Sequence, residues 1–206
     1  MAIELKSVIL LCKGVVMAKF EVVKTPIKDL IIIVPKVFRD NRGFFMESWN
    51  QREFDEIFLE VYGQKITFVQ DNHSRSVRGV IRGLHYQDVH QQGKLVRAVR
   101  GKIFDVGVDL RRESPTFSKW YGVVLSDDDM KMFYIPEGFA HGFVVISDVA
   151  DVVYKTTEFY YPEYDRGIVW NDSTINIDWK LEEFGIRDVI LSEKDKNLPS
   201  FREVFG

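Results

Sequence analysis

The chain has 206 residues, of which 46% are hydrophobic, and its formal net charge is −3. This length and composition suit a single domain with a sizeable core, and the slightly acidic balance argues against a general nucleic-acid-binding protein. Cys12 is the only cysteine, so an intrachain disulfide is excluded and a reducing compartment, the cytoplasm, is predicted.

The N-terminus predicts neither a membrane span nor a signal peptide. Its apolar run, residues 7–12, is far shorter than the roughly 20 residues that cross a bilayer, and no small-residue cleavage site follows it. Met17 opens a plausible second start. We therefore expect residues 1–19 to be an N-terminal extension, with residues 1–16 an appendage or a misassigned start, and residues 20–206 to form one domain.

Strand patterns dominate the rest of the chain. The β-branched run 30–34 ends at Pro35. Between Phe104 and Leu110 apolar residues alternate with Asp and Gly, which is the period-two pattern of a half-buried strand. The other predicted strands cover residues 44–49, 65–69, 77–87, 120–125, 131–135, 142–146 and 149–160. Short strands at this spacing, separated by Gly and Pro, predict a sandwich or barrel.

Helical patterns are few. Phe54, Ile57 and Phe58 follow the i, i+3, i+4 spacing of an amphipathic helix, and Asn50 is a suitable N-cap. A short helix is also predicted within residues 177–184. We therefore expect an all-β domain with a few short peripheral helices.

Positive charge is concentrated in the middle of the chain. Residues 73–112 contain nine Lys or Arg and three Asp or Glu. Within this stretch Arg82 and His85 lie three positions apart. A guanidinium can bind a phosphate through two parallel hydrogen bonds, and an imidazole transfers protons near neutral pH. The pattern predicts a site that binds an anionic substrate and moves a proton; a solvated basic strand face is the alternative.

The spacing of Arg82 and His85 conflicts with regular strand geometry. Successive side chains of a strand point to opposite faces, so residues three apart do not share a face. Gly83 could supply a bulge that returns both side chains to one face. We therefore predict an irregularity in the strand near Gly83.

A set of ordered motifs resembles one family, the dTDP-4-dehydrorhamnose 3,5-epimerases. The resemblance runs from about Phe20 to about Pro199, and any one motif alone would be weak. The matching stretches are 35–38 (PKVF), 40–45 (DNRGFF), 68–74 (FVQDNHS), 82–87 (RGLHYQ), 92–97 (QGKLVR), 104–111, 135–143 (IPEGFAHGF), 170–172 (WND) and 191–195 (LSEKD).

The resemblance implies a fold, a reaction and an assembly. The fold would be a cupin-like jelly-roll β-sandwich, and the protein would form a homodimer that uses no metal or organic cofactor. The substrate would be dTDP-4-dehydro-6-deoxy-D-glucose, and inversion at C3 and C5 would give dTDP-4-dehydro-L-rhamnose. No nucleic acid or membrane would be a partner.

Such an inversion needs a base on one face of the sugar, an acid on the other and a positive group near the ketone oxygen. His85 is the candidate base, and the resemblance makes Asp195 the partner that fixes its tautomer. Tyr154 is the candidate acid by the same match. Lys94 could place an ammonium beside the enolate. Without the family match, Tyr154 would be taken for an ordinary strand tyrosine.

Further residues are expected to bind the substrate. Arginine suits a diphosphate because it donates two hydrogen bonds at once. His141 would contact the sugar phosphate or simply be packed by its aromatic neighbours. The predicted binding residues are Arg42, Glu47, Gln70, Asp71, Asn72, Arg82 and His141. At one position the chain departs from the family, which usually has Glu where Asp165 stands; Asp165 and Glu163 remain alternatives for that role.

Three other functions stay open from the sequence. A metal-dependent cupin usually needs two histidines one residue apart, whereas His85 is followed two positions later by Gln87. A non-catalytic sugar-binding sandwich would not need His85, Lys94 and Tyr154 together. A related 3-epimerase or ketoisomerase would share most of these residues.

Overall fold

The computed structural model describes residues 19–206, which fold mainly into antiparallel strands. The prediction that residues 1–16 are an appendage lies outside the described residues. In chain order the strands are β1 (Phe20–Lys24), β2 (Ile31–Pro35), β3 (Phe38–Asp40), β4 (Gly43–Phe45), β5 (Gln70–Val77), β6 (Ile81–Gln87), β7 (Lys94–Arg100), β8 (Lys102–Asp109), β9 (Trp120–Ser126), β10 (Met132–Ile135), β11 (Phe139–Val145), β12 (Val149–Thr156) and β13 (Asp165–Gly167). The α-helices are α1 (Gln51–Tyr62), α2 (Glu193–Lys196) and α3 (Phe201–Phe205). None of the helices within residues 19–206 has the length and apolar character to cross a membrane.

Two antiparallel sheets pack face to face. The first has the strand order β1-β2-β10-β7-β12-β5, and the second has the order β13-β6-β11-β8-β9. Strands β3 and β4 form a separate hairpin. The core between the sheets combines Val96 and Phe133 from the first sheet with Phe139 and Phe143 from the second. The sandwich predicted from the strand spacing is therefore confirmed.

Helix α1 covers the outer face of the first sheet. The side chain of Asn50 caps its first turn, and Gly63 ends it in the left-handed conformation with φ 72°. Phe54, Ile57 and Phe58 are fully buried against the sheet, and burial of each such side chain stabilises the fold by about 1.5–3 kcal/mol. The predicted helix, its cap and its buried face are confirmed.

The C-terminal segment covers the outer face of the second sheet. Phe104 and Val106 of β8 pack there against Trp179 and Phe201. On the opposite face of β8, Asp105 is fully buried between the sheets. Both faces of β8 are therefore buried, and the prediction of a half-buried strand is wrong because the C-terminal segment shields its apolar face from water.

Two predicted elements do not occur in the described part of the chain. Residues 65–69 form no strand; the ring of Phe68 packs against Trp49 with 5.1 Å between centroids. Residues 177–184 form no helix, because Lys180 has a positive φ of 53° that a right-handed helix does not contain. Of the predicted strand 44–49 only residues 44–45 lie in a strand, β4, and the predicted strand 77–87 is divided by a turn between β5 and β6. The other predicted strands are present, some with shifted ends.

Candidate active site

A cavity of about 170 Å³ lies between the two sheets. Side chains from both sheets and from the segment after β12 form its walls, so it is a concave site of the kind that binds small ligands. Five predicted site residues line it: Arg82, His85, Lys94, His141 and Tyr154. The other lining residues are Ser74, Tyr86, Gln87, Gln92, Phe143, Tyr160 and Asp165.

Strand β6 contains the predicted irregularity. His85 lies opposite His141 on β11, and Arg82 lies opposite Phe143, so β6 has one more residue than its partner between these pairs. The bulge includes Gly83, whose φ is 125°; a Cβ there would lie 2.7 Å from the backbone oxygen of His141. The extra residue turns Arg82 and His85 to the same side, and the prediction is confirmed.

His85 is paired with Asp195, which lies 110 positions later in α2. The distance between His85 Nε2 and Asp195 Oδ1 is 2.6 Å. Burial by itself would raise the pKa of Asp195, but the hydrogen bond and charge of His85 hold it below the ordinary value of 3.8. An ionised Asp195 accepts a hydrogen bond from Nε2–H and leaves Nδ1 of His85 as the basic nitrogen.

A second histidine–carboxylate pair lies beside the first. His141 Nε2 is 2.7 Å from Asp105 Oδ1, and both residues are buried. The other carboxylate oxygen of Asp105 has no hydrogen-bond partner among the described residues. Asp105 was missed in the sequence, although its place on the polar side of an alternating strand could have indicated it.

Lys94 places a buried ammonium at the cavity wall. The residue is 8% exposed, and no carboxylate within residues 19–206 lies at ion-pair distance from it. Burial lowers its pKa to about 8, although the charges of Asp165 and Asp105 oppose that shift. An unpaired cation of this kind can stabilise negative charge that develops nearby.

Tyr154 faces the cavity from β12, in the sheet opposite to that of His85. Burial raises the pKa of its phenol above the ordinary value of 10.0, while the positive charge of Arg82 acts in the opposite direction. Arg82 is held in place by Ser76, whose Oγ accepts a hydrogen bond of 2.9 Å from its Nε. The phenol is therefore protonated at neutral pH and lies near a fixed guanidinium.

Asp165, rather than Glu163, is the carboxylate at the cavity. Its Oδ2 accepts a hydrogen bond of 2.8 Å from the hydroxyl of Tyr160 and forms an ion pair with Lys194. Glu163 is exposed to solvent. Sequence analysis did not predict Tyr160 and Lys194 as site residues. The Tyr-Pro motif next to Tyr160 and the Glu-Lys-Asp motif that contains Lys194 could have indicated them.

The three predicted binding residues at the start of β5 have different surroundings. Gln70 accepts a hydrogen bond from the backbone N–H of Tyr160 and donates one to Asn72. Asp71 pairs with Lys155 at 2.9 Å. Asp71 and Asn72 border a second depression of about 310 Å³ rather than the cavity that contains His85.

Arg42 and Glu47 do not reach the cavity of their own chain. The side chain of Arg42 is 85% exposed at the β3–β4 turn and pairs with Asp40. Glu47 pairs with Lys19 and accepts a hydrogen bond of 2.7 Å from Asn50. Their predicted contact with a substrate therefore has no support from the geometry of a single chain.

Fold and site together define the class of protein. In the jelly-roll sandwich an imidazole paired with a carboxylate, a phenol and an ammonium converge from two sheets on the cavity that His85 lines. These three groups define a class of protein that transfers protons to and from a small anionic ligand. Among residues 19–206 no three His, Cys, Asp or Glu side chains gather as a metal site would require.

Comparisons with known proteins agree with this class. A family model described as dTDP-4-dehydrorhamnose 3,5-epimerase matches residues 24–203. The enzyme of that name from Methanothermobacter thermautotrophicus is 55% identical over 187 residues, which cover 91% of this chain and 97% of the relative. Crystal structures of similar enzymes come from Elizabethkingia anophelis (TM-score 0.80, 48% identity, 90% of this chain and 98% of that one) and from Legionella pneumophila in complex with dTDP-4-keto-L-rhamnose (TM-score 0.81, 46% identity, 89% and 93%).

The chain belongs to the dTDP-4-dehydrorhamnose 3,5-epimerase family, and it is an isomerase that acts on carbohydrates. The resemblance found in the ordered motifs is confirmed. The expected cupin-like jelly-roll β-sandwich is likewise confirmed by the strand order and by the similar crystal structures.

Proposed function

We propose that this protein inverts C3 and C5 of dTDP-4-dehydro-6-deoxy-D-glucose and releases dTDP-4-dehydro-L-rhamnose. One observation carries the assignment of roles: His85 and Tyr154 face a single cavity from opposite sheets. An inversion requires removal of a proton from one face of the sugar and its return to the other. A base and an acid on opposing walls meet that requirement.

We assign the base to Nδ1 of His85. Asp195 keeps the imidazole proton on Nε2, so the lone pair of Nδ1 is available to take the proton alpha to the 4-ketone. The imidazolium that forms is stabilised by the adjacent carboxylate. Asp195 thus acts through His85, as a positioning residue.

We assign stabilisation of the enolate to Lys94. Removal of the alpha proton places negative charge on the ketone oxygen, and an ammonium in a cavity shielded from bulk water interacts with that charge more strongly than it would in solvent. Lys94 is buried, and none of the carboxylates of residues 19–206 lies close enough to form an ion pair with it.

We assign reprotonation to Tyr154. Its phenol donates a proton to the carbon on the face opposite His85, and the nearby Arg82 stabilises the phenolate until water restores the proton. Arg82 and His141 are further proposed to bind the diphosphate, since both line the cavity and donate hydrogen bonds. We also propose that Asp165, which lines the cavity and forms an ion pair with Lys194, contacts the nucleotide.

We propose that the protein works as a homodimer. The β3–β4 hairpin pairs with no other described strand, and it exposes Phe38, Phe44 and Phe45 by 50%, 55% and 68%. Three neighbouring exposed aromatic rings are unusual on a monomer and suit an interface between copies. In a dimer, Arg42 at the turn of this hairpin and Glu47 could contact the substrate in the cavity of the second copy.

Mixing two inactive variants tests this assembly. His85→Ala removes the base, and Arg42→Ala removes the arginine that the second copy would supply. If each cavity combines His85 of one copy with Arg42 of the other, subunit exchange between the two variants restores one complete site per mixed dimer and activity returns. A monomer by light scattering, or a mixture no more active than its parts, contradicts the proposal.

We also propose a cytoplasmic location. Cys12 is the only cysteine, so the fold needs no oxidising compartment. Fractionation of source cells, with activity followed in each fraction, checks this location; activity confined to an extracytoplasmic fraction contradicts it.

The reaction itself is tested by exchange with solvent. The 4-keto sugar nucleotide is incubated with the enzyme in D₂O, and NMR follows deuterium and stereochemistry at both carbons. Deuterium at C3 and C5 with both centres inverted supports the assignment. Deuterium and inversion at C3 alone identify a 3-epimerase, migration of the ketone identifies a ketoisomerase, and no exchange identifies a sugar-binding protein without this activity.

A further inference from the structure

The segment of residues 158–161, which follows β12, forms part of the cavity wall without belonging to a strand. Tyr160 of this segment lines the cavity. The backbone of all four residues is hydrogen-bonded to glutamine side chains, and we call this set of three side chains the glutamine clamp: Gln70, Gln87 and Gln92.

Gln87 makes the largest number of these contacts. Its Oε1 accepts a hydrogen bond of 2.7 Å from the N–H of Tyr161, and its Nε2 donates one of 3.1 Å to the carbonyl of Phe159. The same Nε2 donates to the carbonyl of His90 at 2.6 Å. Gln87 is only 4% exposed, so these bonds are shielded from water.

The other two glutamines hold the neighbouring residues. Gln92 Nε2 donates a hydrogen bond of 2.9 Å to the carbonyl of Glu158, and Gln70 Oε1 accepts a hydrogen bond of 3.1 Å from the N–H of Tyr160. Gln70 lies on β5 of the first sheet and Gln87 on β6 of the second. The clamp therefore attaches the segment to both sheets across the mouth of the cavity.

Hydrophobic burial contributes little at the two middle residues of this segment. The side chains of Phe159 and Tyr160 are 52% and 50% exposed. A primary amide can donate and accept hydrogen bonds at the same time. The glutamine side chains therefore supply the hydrogen bonds that the backbone of a neighbouring strand would otherwise make to this segment. The hydrogen bonds of the clamp therefore hold the backbone at Tyr160, while the hydrogen bond from its hydroxyl to Asp165 holds the end of its side chain.

We propose that Gln87 is a positioning residue that fixes segment 158–161 and thereby sets Tyr160 against the substrate before it arrives. This inference rests on the proposed function and extends it to the way the binding wall is built. A wall that is already ordered needs no ordering when the ligand binds, which favours affinity. Loss of the clamp is therefore expected to weaken substrate binding and to leave proton transfer at His85 and Tyr154 nearly intact.

The test compares three variants of the full-length enzyme with the wild type. Gln87→Met keeps the size of the side chain and removes its hydrogen bonds. Gln92→Met removes a single bond to the same segment and remains informative if Gln87→Met fails to fold. Gln91→Met alters an exposed neighbour outside the clamp and serves as the matched control.

We expect Gln87→Met to raise KM by about 10-fold, since a wall that is no longer ordered in advance must be ordered when the ligand binds, at a cost to affinity. Its kcat and its rate of deuterium exchange at saturating substrate should stay within about 3-fold of wild type. Gln92→Met should raise KM less, and Gln91→Met not at all. Coupling to Tyr160 is checked by making Gln87→Met in a Tyr160→Ala enzyme, where KM should rise no further.

Three results would overturn the inference: an unchanged KM in the clamp variants, a kcat that falls as much as KM rises, or a full effect of Gln87→Met in the Tyr160→Ala enzyme. All three results are measured on the variant enzymes. Failure of the proposed function is seen separately, as absence of deuterium exchange and inversion in the wild-type enzyme.

Discussion

His85 and His141 are cross-strand partners on β6 and β11, and each imidazole Nε2 is hydrogen-bonded to a carboxylate. The two pairs differ in exposure, since the side chain of His85 is 31% exposed and that of His141 is 8% exposed. The more open imidazole can meet a substrate carbon, whereas the buried one is suited to a fixed contact. This difference favours His85 as the base.

Removal of the proposed base should greatly reduce turnover and leave the fold intact. We expect His85→Ala to lower kcat by about 10²-fold to 10⁴-fold, which is the usual contribution of general base catalysis. His73→Ala, on the outer face of β5, is the control and should retain activity. Turnover and deuterium exchange near the wild-type rate in His85→Ala would overturn the base assignment.

The carboxylate behind the base should matter through the imidazole. Asp195→Asn removes the negative charge that fixes the tautomer and stabilises the imidazolium, so we expect kcat to fall by about 10²-fold with a small change in KM. Glu193→Gln, in the same helix but paired with Lys196, is the matched control. A kcat equal to that of the control would mean that Asp195 only supports the helix.

Loss of the acid should separate the two halves of the reaction. Tyr154→Phe leaves His85 able to remove the proton, so exchange with D₂O should persist while formation of the inverted product falls by about 10²-fold or more. Tyr121→Phe, on β9 outside the cavity, is the control. Equal losses of exchange and of product would contradict a purely acid role for Tyr154.

The charge of Lys94 should appear in the pH dependence of the rate. Because burial lowers its pKa to about 8, the ammonium is lost above that pH, and kcat/KM should decline there. The pKa of Tyr154 is raised above 10.0, so its phenol does not titrate in this range. Lys94→Met should be slower at all pH values and should lack this decline; a wild-type rate that stays constant to pH 10 would contradict the assignment.

The depressed pKa of Lys94 should also make the free energy of unfolding increase with pH in the alkaline range. Its pKa is about 8 in the folded protein and returns to the ordinary 10.5 on unfolding, so the unfolded chain binds more protons between these values. The free energy of unfolding of the wild type, relative to Lys94→Met, should therefore rise from pH 8 to pH 10.5, by at most about 3 kcal/mol. Urea titrations between pH 8 and pH 10.5 measure this difference in the free energy of unfolding. A difference that stays constant or decreases would contradict the lowered pKa of Lys94 in the folded protein.

Gly83 should tolerate no side chain. A Cβ would lie 2.6 Å from Gly142 Cα, and the φ of 125° is strained for any other residue, so we expect Gly83→Ala to destabilise the fold by about 1–3 kcal/mol and to lower kcat. Gly43 has a φ of 132°, and no atom of residues 19–206 lies within 4 Å of the position of an added Cβ, so Gly43→Ala measures the backbone strain without the contact. Equal losses of stability in the two variants would mean that the close approach of β6 and β11 has no separate effect.

Sequence reasoning succeeded where the signal was local. The spacing of Phe54, Ile57 and Phe58 determined the buried face of α1, and the Arg82–His85 spacing with its intervening glycine indicated the bulge. It failed at residues 65–69 and in the C-terminal segment, because apolar residues there pack on the outer faces of the sheets rather than follow a regular period.

The sequence by itself determined the family, the all-β class and the candidates for base, acid and cation, because ordered motifs and side-chain chemistry are properties of the chain. The resemblance implied that Asp195 is the partner of His85, but only the tertiary structure showed their contact, the pairing of Asp105 with His141 and the position of Arg42 outside the cavity of its own chain. The physical reason is that these contacts join residues distant in sequence. The pairing of β8 with β11 and the packing of α2 against β6 bring these groups together, and no local sequence pattern specifies either contact.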